Sequence, residues 1–126
     1  MTQANIQIQV RKVSKAASDG VYVFDITGEI NAQAESALMD AYTQVNSAGT
    51  RFNILNFQNL QYMNSSGIGL LVTLLIRIQR QKQHLYVCAL SDHYRQIFEL
   101  TRLNEAIGIY ASEAEALATI VSSSGG

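Results

Sequence analysis

The apolar positions of the chain switch several times between a period of two residues and a helical period, and each switch predicts a new element. Alternation and short apolar runs predict five strands, at residues 5–13, 21–27, 52–57, 84–90 and 107–110. Helical spacing predicts four helices, which follow the polar residues Asn31, Ser66, Ser91 and Ser112. The resulting order, β-β-α-β-α-β-α-β-α, predicts an α/β fold with a mixed sheet.

The length of the chain favours one compact domain. With 126 residues and 48% hydrophobic content, it is large enough to bury a core of its own. We therefore expect a single domain over residues 1–126, with an ordered core at about 6–121 and a flexible tail at 122–126.

Charge and cysteine content narrow the classes of function. The formal net charge of −1 does not indicate binding to nucleic acid or to an anionic membrane. The most apolar stretch, residues 68–78, is too short for direct insertion across a bilayer, and residues 1–5 lack the pattern of a signal peptide. The single cysteine, Cys88, lies in an apolar run and predicts a buried thiol. We expect a cytoplasmic protein without a disulfide.

Residues 63–70 join a strand pattern to the most apolar helix pattern, and two adjacent serines stand at the junction. The first turn of a helix has unpaired N–H groups and a partial positive charge, which stabilise an added phosphate. A single serine at this place is often only a helix cap. The pair Ser65 and Ser66, followed by Gly67 and Gly69, favours a phosphoacceptor or anion-binding site that another backbone can approach closely.

The helix after Ser66 has more apolar surface than a surface helix needs. At about 100° per residue, its leucines, isoleucines and valine cover roughly 240° of the circumference, whereas about 100° suffices to face a core. We therefore expect part of this surface to face a partner, at the flank of Ile68, Val72 and Ile76. Burial of the whole surface within the monomer is the alternative.

Catalytic and metal-binding patterns are missing around the serines. A serine hydrolase needs a histidine and a carboxylate, and the flanking residues do not form Gly-x-Ser-x-Gly. His84 and His93 have no motif that ties them to Ser65, and two scattered histidines make a poor zinc site. Gly67 and Gly69 lack the third glycine of a dinucleotide fingerprint. We expect no catalytic residue, metal or cofactor, and no enzyme activity.

The segment Asn64-Ser65-Ser66-Gly67-Ile68-Gly69 resembles the Asp-Ser-Ser-Gly-Leu/Ile-Gly signature of STAS domains, as found in bacterial anti-sigma factor antagonists. Residues 27–31, 53–56 and 87–90 also match the family, and the order of elements agrees from about residue 6 to residue 121. The resemblance implies a single STAS-like α/β domain with a mixed sheet of about five strands and about four helices.

The resemblance also implies a binding protein that phosphorylation switches. In such proteins the unphosphorylated form binds a serine kinase that is also the anti-sigma factor, and this frees the sigma factor. The kinase phosphorylates the first serine of the pair, and a serine phosphatase resets the switch. Carried over, Ser65 is the acceptor and Ser66 is the second candidate. The implied partner surface comprises Asn31, Asn64, Ser65, Ser66, Gly67, Ile68, Gly69, Val72 and Ile76.

Three asparagines depart from the family pattern, which usually has acids at or near these positions: Asn31, Asn56 and Asn64. Asparagine keeps a capping oxygen but removes the charge, which eases the addition of a phosphate and removes carboxylates that a kinase can recognise. Two alternatives to the switch therefore stay open. One is a non-switching STAS scaffold subunit, a homo- or hetero-oligomer in a larger signalling assembly or transporter complex. The other is a small-ligand or nucleotide binder at the helix N-terminus.

Overall fold

The computed structural model describes residues 5–13, 20–47 and 49–124. The turn that Ser18, Asp19 and Gly20 predict between the first two strands lies mostly outside the described residues, as do residues 125–126 of the predicted tail. Within the described residues, five strands and four α-helices follow the predicted order. They are β1 (Ile6–Lys12), β2 (Val21–Ile30), α1 (Glu35–Val45), β3 (Phe52–Met63), α2 (Ser65–Arg80), β4 (His84–Cys88), α3 (Asp92–Leu100), β5 (Gly108–Tyr110) and α4 (Glu113–Ser124). Short 3₁₀ turns at Ala32–Ala34 and Leu103–Glu105 precede α1 and β5.

The five strands form one mixed sheet in the order β1-β2-β3-β4-β5, which confirms the predicted fold class. β1 pairs with β2 antiparallel, and each later pair is parallel. Parallel neighbours need a crossover, and α1, α2 and α3 provide the crossovers that follow β2, β3 and β4. Because β2, β3 and β4 run parallel to one another, their carboxyl ends lie together along one edge of the sheet.

Helices cover both faces of the sheet. The side chains of each strand alternate between the two faces, and a hydrophobic cluster lies on each face. The larger cluster lies beneath α1, α2 and α3, which contribute residues such as Leu38, Leu71 and Phe98. The smaller cluster lies beneath α4, which contributes Ala116 and Ile120. The last helix therefore packs on the face opposite to the three crossover helices.

Cys88 belongs to the smaller cluster and is 0% exposed. Burial raises the pKa of its thiol to about 11. The unreactive protonated form therefore prevails near neutral pH, and the predicted buried thiol is confirmed.

β3 is longer than predicted, and this changes what precedes the serines. The sequence predicts a connection over residues 58–63, but β3 continues to Met63 and pairs with β2 up to that residue. Two register shifts lie in this part, each with one extra residue in β3, and they disturb the alternation that marks a strand. The serines therefore follow a strand of the sheet with only Asn64 between them.

An ion-pair cluster ties α4 to the first two strands. Arg11 lies 2.6 Å from the Oε1 atom of Glu113 and donates from Nη2 to Asp25 Oδ1 at 3.0 Å. Asn56 Nδ2 donates to the same Asp25 oxygen at 3.0 Å, and Asn56 Oδ1 accepts the Gln58 N–H at 3.1 Å. A carboxylate in place of Asn56 would be repelled by Asp25, so the structure accounts for an amide at this position.

Asp25 is expected to make the stability of the fold depend on pH. The Arg11 guanidinium holds the pKa of the Asp25 carboxyl below its usual range, chiefly through its hydrogen bond. Such a carboxyl stabilises the fold above its unfolded-state pKa of about 4, and the stabilisation is lost as the pH falls through the folded-state pKa. We therefore expect Asp25→Asn to cost about 0.5–1 kcal/mol at pH 7 and less as the pH is lowered towards 2.

Urea unfolding of the parent and the Asp25→Asn variant at several pH values measures this difference. Asp40→Asn is the control, because Asp40 is an exposed carboxylate without an ion pair among the described residues. A loss that stays the same at every pH would show that Asp25 does not act through its charge.

Candidate functional site

The serine pair lies at the carboxyl edge of the sheet, where β2 and β3 end side by side. Ile30 and Met63 are the last paired residues of these two parallel strands. Asn31 and Asn64 follow them directly, and both have an extended backbone. This edge of an open α/β sheet is the usual place for a binding site.

Both asparagines cap the helical turn that they precede. Asn64 Oδ1 accepts the Gly67 N–H at 2.9 Å, and the Asn64 carbonyl oxygen accepts the Ile68 N–H at 3.0 Å. Asn31 Oδ1 likewise accepts the Gln33 N–H at 3.0 Å. The side-chain oxygens therefore hold the two turns in place, and they bring no negative charge to the edge.

Gly67 allows α2 to begin directly against the end of β2. It is buried, and a β-carbon built on it would lie 2.0 Å from the carbonyl oxygen of Ile30. The same oxygen accepts the Asn64 N–H at 3.3 Å. Only glycine leaves room for this approach, so the backbone that comes close to Gly67 belongs to the chain itself.

Ser65 and Ser66 form the first turn of α2, and both are exposed. Among the described residues, neither hydroxyl has a hydrogen-bond partner, and neither backbone N–H is bonded to another group. No acidic residue stands in this turn. The turn thus offers accessible hydroxyls beside free N–H groups and the positive end of the helix dipole, which stabilise a phosphoryl group added there.

The two serines point to different sides of α2. Over residues 65–76 of α2, at about 100° per residue, four further residues lie within about 60° of Ser65 around the helix axis. We call this stripe the α2 flank; it consists of Ser65, Ile68, Gly69, Val72 and Ile76. Ser66 lies about 100° away, towards the side where the Arg77 guanidinium lies 5.8 Å from the centre of the Tyr42 ring of α1. Of the two hydroxyls, only that of Ser65 belongs to the flank.

The α2 flank is uncharged, largely apolar and partly exposed. Ile76 is 44% exposed, and Ile68 and Val72 are half-buried. The opposite side of α2 packs into the larger cluster through Leu71, Leu74, Leu75 and Ile78. Part of the apolar surface is therefore exposed at Ile76, so burial of the whole surface within the monomer is wrong, and coverage of this flank by a partner stays a prediction.

Asn56 is separate from the other two asparagines. It lies in the middle of β3, more than about 20 Å from Asn64 at roughly 3.3 Å per residue. Its side chain is hydrogen-bonded to the Asp25 carboxylate and to the Gln58 N–H, on the face of the sheet that α4 covers in part. Of the three departures from the family pattern, only Asn31 and Asn64 lie at the serine pair.

Sequence reasoning missed two tyrosines near this edge. Tyr62 stands one residue before the end of β3 and is 50% exposed. The Tyr94 hydroxyl oxygen, on α3, accepts the Met63 N–H at 2.9 Å, at a point of β3 that lies beyond its pairing with β4. Tyr62 could have been noticed in the sequence, because it is an aromatic residue next to the serine motif. The contact of Tyr94 with Met63 could not, because it depends on how α3 packs beside β3.

The edge provides a surface with two exposed hydroxyls, and no histidine or carboxylate of the described residues is hydrogen-bonded to either of them. His84 begins β4 at the opposite edge, and His93 stands in the first turn of α3; neither is hydrogen-bonded to Ser65. No three His, Cys, Asp or Glu side chains of the described residues are grouped so that they could hold a metal ion. Over the same part of the chain, no helix is long and apolar enough to cross a membrane.

The sequence matches the family model of the STAS domain over residues 12–116. The chain is a STAS domain protein. In this STAS domain the matched part includes the serine pair, both capping asparagines and the whole α2 flank. The anti-sigma-B factor antagonist of Staphylococcus aureus is 28% identical over 97 residues, which are 77% of this chain and 90% of that protein.

Solved structures share the fold at lower identity. An anti-sigma factor antagonist from Mycobacterium paratuberculosis matches with a TM-score of 0.75 and 21% identity, over 94% of this chain and 98% of that one. The phosphorylated form of the Bacillus cell fate determinant SpoIIAA matches with a TM-score of 0.63 and 22% identity, over 90% and 99%. A sulfate transporter family protein from Wolinella succinogenes matches with a TM-score of 0.71 and 19% identity, over 86% and 88%. These likenesses show the fold alone.

Proposed function

We propose that this STAS domain is an anti-sigma factor antagonist. In its unphosphorylated form it binds a serine-kinase anti-sigma factor through the α2 flank and frees the sigma factor. Phosphorylation of Ser65 ends the binding, and a serine phosphatase restores it. The observation that carries the proposal is the position of the Ser65 hydroxyl, which lies on an exposed and uncharged apolar stripe.

Two comparisons support this choice among the functions of STAS domains. The relative from Staphylococcus aureus is named an anti-sigma-B factor antagonist, and this chain aligns with 90% of its length. SpoIIAA, which shares the fold, exists in a phosphorylated form. We propose that the protein acts in the cytoplasm by binding other proteins. It catalyses no reaction, needs no cofactor and does not bind nucleic acid.

A phosphoryl group on Ser65 would change the α2 flank by charge and by size. It adds about −1.5 to −2 charges at pH 7. The free N–H groups of the first turn stabilise this charge, so the domain keeps its fold. A partner that covers the flank with apolar side chains would have to strip water from the phosphate, which is strongly unfavourable. Binding is therefore lost at the site itself, without rearrangement of the sheet.

Asn31 and Asn64 suit the phosphorylated state better than carboxylates would. A carboxylate within a few ångströms repels a phosphate, whereas an amide does not. The Oδ1 atoms of both residues are used in caps, and their Nδ2 groups make no hydrogen bond to another described residue. These N–H donors are therefore available to a phosphoryl group at the same edge.

Phosphotransfer between purified proteins tests the proposal. Each serine-kinase anti-sigma factor of the source organism is mixed with ATP and the parent chain, the Ser65→Ala variant or the Ser66→Ala variant. We expect one kinase to label the parent and Ser66→Ala, and to leave Ser65→Ala unlabelled. Both serines are exposed, so neither variant is expected to lose its fold, which thermal unfolding verifies.

Two results would contradict the proposed function. If Ser65→Ala is labelled as strongly as the parent, the kinase phosphorylates a residue other than Ser65. Failure of every kinase to bind the parent, together with a mass that rises with concentration, would favour the scaffold subunit.

A further inference from the structure

The geometry points to Gly69 as the residue that admits an apolar side chain of the kinase partner to the α2 flank and so determines which partner fits. This inference rests on the proposed function and adds the shape of the docking surface. Gly69 lies about one turn after Ser65 and within about 40° of it around α2. A protein that reaches the Ser65 hydroxyl therefore covers Gly69 as well.

No contact with another described residue requires glycine at this position. Apart from the neighbouring residues and backbone of its own helix, a β-carbon built on Gly69 meets no described atom within 4 Å, and Gly69 is not among the residues with positive φ. The Thr73 hydroxyl donates to the Gly69 carbonyl at 3.2 Å, but any residue would provide that carbonyl. Gly67 differs in this respect, because the carbonyl of Ile30 occupies the space beside it.

Glycine inside a helix is unfavourable, since it weakens the helix relative to alanine. Gly69 is exposed and lies within the helical span of α2, so this weakening is not relieved by packing in the fold. Residues that break a local rule without a structural reason tend to occur at functional sites. The room that Gly69 leaves is therefore expected to serve a group from outside the chain.

The neighbours of Gly69 define the shape and chemistry of this space. Ser65 and Ser66 lie four and three residues before it, and Val72 and Thr73 lie three and four residues after it, so these four uncharged side chains border a notch where the helix backbone is bare. No charged side chain belongs to the α2 flank. The Thr73 hydroxyl is already bonded to the Gly69 carbonyl, and Val72 supplies an apolar wall. The notch therefore suits an apolar side chain, and its depth brings the backbone of the partner close to the Ser65 hydroxyl.

Substitutions of increasing size at Gly69 test this inference. Calorimetry without ATP measures the Kd of the unphosphorylated chain for each serine-kinase anti-sigma factor of the source organism. We expect Gly69→Leu to weaken binding by about tenfold or more and Gly69→Ala to weaken it less, with thermal midpoints at or above that of the parent. Ala118→Leu is the control, because it adds bulk to an exposed position of α4 and should leave the Kd unchanged.

The outcomes separate this inference from the proposed function. A kinase that binds the parent and Gly69→Leu equally would overturn the role of Gly69 and leave the proposed function standing. If no kinase binds the parent, the proposed function fails and the inference falls with it. A parent that dimerises while Gly69→Leu stays monomeric would assign the notch to a second copy of the chain and overturn the kinase as its occupant.

Discussion

Gly67→Ala is expected to destabilise the domain by about 1–3 kcal/mol, although alanine favours a helix. The added methyl group would overlap the carbonyl oxygen of Ile30, which is backbone and cannot rotate away. Relief requires α2 to move off the end of β2, and this breaks the hydrogen bond from the Asn64 N–H to the same oxygen. Urea unfolding followed by circular dichroism measures the change in the free energy of unfolding.

Gly69→Ala is the matched control, since it makes the same change two residues later in the same helix. The new β-carbon meets no described atom within 4 Å outside its own stretch of helix, so we expect a gain of about 0.5–1 kcal/mol. The two variants should therefore shift the stability in opposite directions. Shifts of the same sign and size would contradict the close packing of α2 against Ile30.

Phosphorylation of Ser65 is expected to weaken binding to the kinase partner by about 100-fold or more, which corresponds to about 2.7 kcal/mol. The charge would lie on the α2 flank, between a partner's apolar side chains and those of Val72 and Ile76. Calorimetry compares the phosphorylated chain with the unphosphorylated chain, both in the absence of ATP. Unchanged affinity would show that the flank is not the docking surface.

Aspartate at either serine provides a control for position. Ser65→Asp places a single charge on the flank and is expected to weaken binding by about tenfold or more. Ser66→Asp places the same charge about 100° away around α2 and is expected to weaken it much less. An equal loss for both variants would mean that net charge, and not the side of the helix, determines the effect.

The order of elements could be predicted because burial of one face imposes a period on each segment. The alternation of Ile6, Ile8 and Val10 has this origin, as does the helical spacing after Ser66. The second half of β3 could not be predicted in this way. Its two extra residues relative to β2 break the period of two, and polar residues such as Gln58 and Asn59 then have the pattern of a loop.

The candidate site could be predicted in part. The position of the serines at the start of a helix follows from the strand pattern before them and the helix pattern after them. That they lie on different sides of the helix follows from the helical rotation of about 100° per residue. The different roles of Gly67 and Gly69 depend on Ile30, which lies in another strand. The separation of Asn56 from the serines likewise depends on the length of β3, which the sequence pattern underestimates.

Phosphate mapping on the chain from its native organism is the most direct test of Ser65 as a switch. The protein is isolated with phosphatase inhibitors from growing and from stressed cells, and its peptides are analysed by mass spectrometry. We expect phosphate on Ser65, in a fraction that differs between the conditions, and none on Ser66. Unmodified Ser65 under every condition would contradict the switch and would favour a constitutive scaffold that uses the same flank.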